Sequence, residues 1–181
     1  MRKLSNEELN RMSAEEFKHA EKRKVILILD NVRSLNNVGS AFRTADAFLV
    51  EAIYLCGVTG TPPNKEIYKT ALGADETVTW QYFENTMLAV EACKAKGYSV
   101  YSVEQAEGST LLHDFVPRVR GLALVFGNEV NGVLPEVVDA SDACIEIPQD
   151  GSKHSLNISV SVGIVVWEVV KKLDATSAQA L

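Results

Sequence analysis

The run Val25-Ile-Leu-Ile-Leu29 contains no polar residue. A strand with one wet face alternates apolar and polar side chains, so an unbroken apolar run reads as a strand covered on both sides, the mark of a buried parallel sheet. It ends abruptly at Asp30-Asn31. From there strand-like and helix-like segments alternate. Strands are expected over 25–29, 52–56, 77–83, 98–103, 122–126 and 144–147. Helices are expected over 38–48, 64–72, 85–96 and 155–173, with a short one after Pro135. Asn64 and Asn85 are placed to cap two of them, and Gly73 and Gly97 to end them. The alternation predicts an α/β fold with a mostly parallel six-stranded sheet flanked by helices. Residues 105–120 read as irregular, and 174–181 as a frayed tail after the domain over 25–173.

Residues 1–24 read as a basic helical arm. Ser5-Asn-Glu-Glu8 and Ser13-Ala-Glu-Glu16 both fit a capping box, and seven Lys and Arg residues lie among five glutamates. The whole chain has a formal charge of −6, which excludes a protein-wide basic field for nucleic acid and leaves only local patches. Cys56, Cys93 and Cys144 sit in apolar patterns without paired or metal-type spacing, and His19, His113 and His154 are scattered. Reduced thiols, no bound metal, no membrane span, no secretory signal and a cytoplasmic location are the expectations.

Three polar loops follow strands, where open α/β sheets bind ligands. The first is Asn36-Asn37-Val-Gly39-Ser-Ala-Phe-Arg43, where Asn37 suits an N-cap and Gly39 a close backbone approach. The second, Gly127-Asn128-Glu129, sets a carboxylate directly after a buried strand. The third runs from Ile147-Pro148 through Gly151 to Ser155-Leu156-Asn157 at the start of the last helix, where free N–H groups favour an electron-rich ligand. The dinucleotide glycine fingerprint, the phosphate-binding Gly-x-x-x-x-Gly-Lys loop and the Gly-x-Ser-x-Gly elbow are all missing.

Taken together, Asn37-Val-Gly39-Ser-Ala-Phe-Arg43-Thr-Ala45, Leu124-Val-Phe-Gly127-Asn-Glu129-Val-Asn-Gly132 and Ile147-Pro148-x-x-Gly151-x-x-x-Ser155-Leu156-Asn157-x-Ser159-Val160 are similar, in order and spacing, to the three motifs of the SpoU/TrmH branch of the SPOUT superfamily. These are RNA ribose 2′-O-methyltransferases, and the resemblance covers residues 25–170. It implies a C-terminal deep trefoil knot, which general topology rules would have rejected. It also implies S-adenosyl-L-methionine bound through Gly127, Ile147 and Leu156, largely by backbone, and a homodimer that completes each site. By the same match Arg43 is the catalytic candidate, supported by Asn37, Glu129, Ser155 and Asn157. A guanidinium stays protonated, so Arg43 is expected to bind phosphate and stabilise the developing alkoxide, with no role as a base. Arg33, Lys153 and His154 are candidates for contact with RNA.

Apart from the resemblance, the last helix carries Ile158, Val160, Val162, Ile164, Val165, Val166, Trp167, Val169 and Val170, apolar on nearly every side, which calls for burial both against its own sheet and against a second subunit. Transfer RNA is the favoured substrate, because a short arm stands where some ribosomal-RNA enzymes of the family have an extra domain. Ribosomal RNA, or a non-catalytic RNA-binding knot protein, are the alternatives.

Overall fold

A computed structural model of the chain describes residues 1–5, 7–117 and 121–179. Its sheet comprises β1 (Arg23–Asp30), β2 (Val50–Cys56), β3 (Trp80–Phe83), β4 (Ser99–Val103), β5 (Thr110–Leu111), β6 (Leu122–Phe126) and β7 (Ala143–Glu146). All ladders are parallel, in the spatial order β3-β2-β1-β6-β4-β7-β5. Central β1 shows why its sequence is unbroken. Val25, Leu27 and Leu29 enter one core, while Ile26 and Ile28 enter the other. All five are fully buried.

The first core lies under α2 (Leu35–Ala47), α3 (Lys65–Ala71), α4 (Ala74–Thr77) and α7 (Ile158–Gln179). The second lies under α5 (Thr86–Ala95) and α6 (Pro135–Ala140). Gly39 lets α2 meet α3, because a Cβ there would stand 2.1 Å from Thr70 Oγ1 and 2.2 Å from the Ile67 carbonyl oxygen.

Several expectations are corrected. The sheet has seven strands, not six. The addition is β5, a two-residue edge inside the stretch expected to be irregular. It pairs with β7, and Ser109 Oγ donates to Glu146 Oε2 at 2.6 Å. Two residues carry no periodicity, so the pairing exists only once β7 is in place. Residues 118–120 of that stretch lie outside the described ones.

The N-terminal arm is not helical throughout. It is a 3-10 turn, Glu7–Leu9, and a six-residue helix α1 (Ala14–His19), and Arg23 and Lys24 already belong to β1. Both capping boxes form, but each governs only one short turn. Residues 74–77 coil into α4, which shortens the strand expected from residue 77.

The expected end of the last helix near residue 173 is also revised. Helix α7 continues to Gln179, and residues 180–181 lie outside the described ones. Tertiary contacts hold it at residues 172 and 174. Arg23 forms a fork with Asp174 at 2.5 and 3.2 Å, and Lys172 donates to the carbonyls of Leu112, His113 and Phe115 at 2.7–2.8 Å. Among the described residues no helix is long and apolar enough to cross a membrane.

Candidate active site

At the carboxyl ends of β4, β6 and β7 the chain leaves a cleft of about 620 Å³, within the range that holds a nucleoside-sized ligand. Its walls include Gly127 and Glu129 after β6, Ile147 after β7, and His154, Ser155, Leu156 and Asn157 at the entry to α7. Seven of the residues expected at the site therefore meet in one place.

Gly127 is where two backbones cross. A Cβ there would stand 2.0 Å from the Gly132 carbonyl carbon, so the β6 loop can fold back only over a bare Cα. The returning loop is closed by reciprocal Asn128–Gly132 backbone hydrogen bonds of 2.9 and 3.0 Å. Asn128 also holds it, with Oδ1 accepting from Val130 N at 2.9 Å and Nδ2 donating to the Asn31 carbonyl at 2.6 Å.

Glu129 joins the first and second loops. Its carboxylate accepts from Arg33 N and Ser34 N and from Asn37 Nδ2, each at 3.0 Å. Partial enclosure of the carboxylate pushes its pKa up, but these N–H donors outweigh it and hold the group below the ordinary glutamate value. Asn37 is thus a partner of Glu129. It does not cap α2; Ser34 does, with its Oγ accepting from Asn37 N. The helix starts one turn before the expected residue 38 because Ser34 precedes Leu35, whose side chain packs on the first core.

At the third loop, Asn157 Oδ1 accepts from Ser159 N at 2.9 Å, and α7 begins at Ile158, not near Ser155. Asn157 is both cleft wall and helix cap. Ser155 and Leu156 are exposed in the cleft, and Ile147 is half-buried beside them, giving an apolar slot edged by backbone.

Arg43 stands apart. It is exposed on α2 and not among the cleft-lining residues. Six residues of helix separate it from Asn37 by ~9 Å along the axis. Arg33 and Lys153 are also exposed and outside the lining; Arg33 contributes its backbone N–H to Glu129.

Two lining residues, Glu104 and Gln105, escaped the sequence reading. Glu104 Oε2 accepts from Val133 N at 2.9 Å under the β6 loop, and Gln105 Nε2 donates to the His154 carbonyl at 2.9 Å. They follow strand β4 directly, as Glu129 follows a glycine after β6, so the same rule of a polar group after a buried strand would have found them. Asp30 was passed over as well. Fully buried at the end of β1, it accepts from Thr86 Oγ1, Asn31 Nδ2 and Leu134 N at 2.5–2.9 Å, anchoring the loops behind the site.

A parallel sheet with a ligand-sized cleft at its strand ends, walled by loops held together through a carboxylate and backbone donors, defines an α/β protein with room for a small-molecule ligand at its strand ends. Comparison with known proteins narrows the class. The SpoU rRNA Methylase family matches residues 24–167, and the chain belongs to that family.

Among its relatives is a 23S rRNA (guanosine-2'-O-)-methyltransferase RlmB of Nitrosomonas europaea, 34% identical over 82% of this chain and 56% of the relative. Among solved structures, the A. aeolicus TrmH/SpoU tRNA modifying enzyme is 25% identical with a TM-score of 0.80, covering 91% of this chain and 84% of that one. An AdoMet-bound rRNA methyltransferase from Sinorhizobium meliloti is 28% identical with a TM-score of 0.79, covering 87% and 60%. The chain spans a little over half the length of its Nitrosomonas relative.

Proposed function

We propose that the protein is an S-adenosyl-L-methionine-dependent RNA methyltransferase that methylates a ribose 2′-hydroxyl. The observation that carries this reading is the single cleft formed by Gly127, Glu129, Ile147, Ser155, Leu156 and Asn157, in a chain of this family. The residues fit the cofactor. Leu156 and Ile147 offer the apolar slot that an adenine needs, and the bare Gly127 backbone keeps the wall close. When bound, the cofactor supplies a methyl group on a positively charged sulfur, already activated for transfer.

The protein's task is then alignment of the hydroxyl and removal of its proton. Glu129 fixes Asn37 and the start of α2, which sets the direction of that helix and of Arg43 upon it. Arg43, with no hydrogen bond or ion pair among the described residues, is free to bind an RNA phosphate and stabilise the forming alkoxide. Asn157 holds the helix start against which the ribose rests. Arg33, Lys153 and His154 form an exposed rim suited to phosphate contact.

Because Arg43 lies off the cleft, the site reads as incomplete in one chain. A homodimer answers this. On α7, Val160, Ile164 and Trp167 form an apolar face still exposed after folding. Trp167 meets Phe48, next to the end of α2, with ring centroids 6.0 Å apart, so that face lies beside the helix that bears Arg43.

The trefoil knot belongs to the same reading. A stretched knotted chain would stop short of the contour expected for its residues, and full extension would remove the knot. Ribosomal RNA is the favoured substrate class, since the Nitrosomonas and Sinorhizobium relatives carry rRNA names, although the A. aeolicus structure is a tRNA modifying enzyme.

The test is transfer of a tritiated methyl group from S-adenosylmethionine to separated ribosomal and transfer RNA, followed by nuclease digestion. Label on ribose of ribosomal RNA is expected. Label only on a base, or only on protein, overturns the reading, and ribose label on transfer RNA alone moves the substrate.

A further inference from the structure

Strand β4 lies between β6 and β7 in the sheet. Gly127 follows β6 and Ile147 follows β7, so the end of β4 stands between the two walls proposed to hold the cofactor. The residue there is Glu104. Val103 pairs with Phe126 of β6 and with Ile145 of β7. Glu104 is therefore level with Gly127, one strand spacing of ~4.8 Å away. Its N–H donates to the Ile145 carbonyl at 3.1 Å, which fixes its backbone against β7. Glu104 is half-buried and lines the cleft.

The carboxylate has a built position. Oε2 accepts from Val133 N and Oε1 from Gln105 N, both at 2.9 Å. Oε2 also fits under the bare Gly132, where a Cβ would stand 2.1 Å from it. A neutral amide oxygen could accept from Val133 N equally well, so these hydrogen bonds alone do not call for a charge. The surrounding charge does point to a use for one. Among the described residues the cleft lining holds two carboxylates, Glu104 and Glu129, and neither lysine nor arginine. Arg43 and Lys153 lie outside it. Glu129 is engaged by three N–H donors on the first-loop side, which leaves Glu104 as the charge between the two cofactor walls. A half-enclosed cleft with this balance favours a cation.

We propose that Glu104 makes the cleft select the sulfonium form of the cofactor over the spent thioether, S-adenosylhomocysteine. Methyl transfer removes the charge that Glu104 attracts. The C–S bond breaks with its electron pair left on sulfur, the methyl carbon bonds the ribose oxygen, and the hydroxyl proton passes to water. The product keeps the apolar and backbone contacts at Gly127, Ile147 and Leu156 and loses the attraction to the carboxylate, so it leaves more readily than the cofactor. The inference rests on the placement of S-adenosyl-L-methionine in this cleft proposed above, and adds the residue that sets which form of it is held.

Calorimetric titrations at pH 8, where a free imidazole is neutral, compare three ligands. They are S-adenosyl-L-methionine, S-adenosylhomocysteine and sinefungin, which carries an amine in place of the sulfonium methyl. The parent protein is expected to bind both cations more tightly than the thioether. Glu104→Gln should reduce that preference roughly threefold to tenfold, the size of a partly screened charge pair, while affinity for the thioether stays level. The neutral thioether reports the shape of the cleft. A merely structural carboxylate would weaken all three ligands together in Glu104→Gln and overturn the proposal. Glu104→Asp, which keeps the charge, should keep the preference even where all affinities fall. Equal binding of cofactor and product by the parent, or a preference that survives in Glu104→Gln, also overturns it. Methyl transfer by a parent protein that binds cofactor and product equally leaves the enzyme reading intact and removes only the selection by Glu104. If none of the three ligands binds, the assignment of the cleft falls together with the proposal.

Discussion

At the scale of single residues, the proposed site sets an exposed cation, Arg43, against a tethered anion, Glu129. Arg43 touches nothing that holds the fold together, so Arg43→Ala should abolish methyl transfer while leaving cofactor affinity and thermal unfolding near those of the parent. Turnover within a few-fold of the parent would remove Arg43 from the chemistry. Glu129 is the opposite case, since its three N–H partners tie two loops together. Its carboxyl pKa is depressed in the folded state. The order it provides is therefore fully present above the ordinary glutamate value of 4.5 and is lost as pH falls through the lower folded value. Cofactor affinity should stay level from neutral pH down to that value and fall below it. Glu129→Gln, which keeps the shape but loses the charge, should weaken cofactor binding roughly three- to tenfold, a modest loss because the group is partly solvated. It should also lack the acid limb. A parent profile that already declines well above the glutamate range, with the same decline in Glu129→Gln, would assign the limb to another group.

At the scale of elements, local chemistry explains what the sequence disclosed and what it hid. Val25–Leu29, Leu122–Phe126 and the helices after Asn64 and Asn85 were legible, because an apolar run or a side-chain cap encodes its element within a few residues. Strand β5 and the persistence of α7 to Gln179 were not, because distant partners stabilise them. Lys172 illustrates the second kind. In sequence it is one more charge near the chain end. In the fold its three donors meet the carbonyls of Leu112, His113 and Phe115, pinning the segment after β5 to the helix. Lys172→Met keeps much of the packing and leaves three carbonyls without their donor, so it should destabilise the protein by about 2 kcal/mol. Denaturant midpoints measure this, and a change under about 0.5 kcal/mol, the size of an ordinary surface substitution, would make the contacts incidental. The candidate cleft was legible in the same uneven way. The three motif loops were found, but the contact of Glu129 with Asn37 and the support from Glu104 needed the sheet to bring β1, β4 and β6 side by side.

At the scale of the molecule, the open question is what covers α7. The expectation from sequence was a helix apolar on nearly every side, and the fold buries part of it: Val162, Val165, Val166 and Val169 reach 0% exposure. Val160, Ile164 and Trp167 remain 47%, 38% and 58% exposed, spaced to share one helix face. A large aromatic between two branched aliphatics suits the centre of an interface. The proposed homodimer would cover it with a second copy, because the face adjoins Phe48 and the helix carrying Arg43, which lies outside the cleft that Glu129 and Asn157 line. The substitution Trp167→Glu places a charge at the middle of that face without disturbing the side of α7 that packs on the sheet. It should convert a dimer to a folded monomer in sedimentation experiments, with thermal unfolding cooperative but lower, since subunit association adds to apparent stability. Methyl transfer should fall by at least a hundredfold, while the monomer retains measurable affinity for S-adenosylmethionine, whose proposed cleft lies within one chain. A variant that remains dimeric would move the interface elsewhere. A monomer with full activity would show that Arg43 reaches the cleft of its own chain when RNA binds.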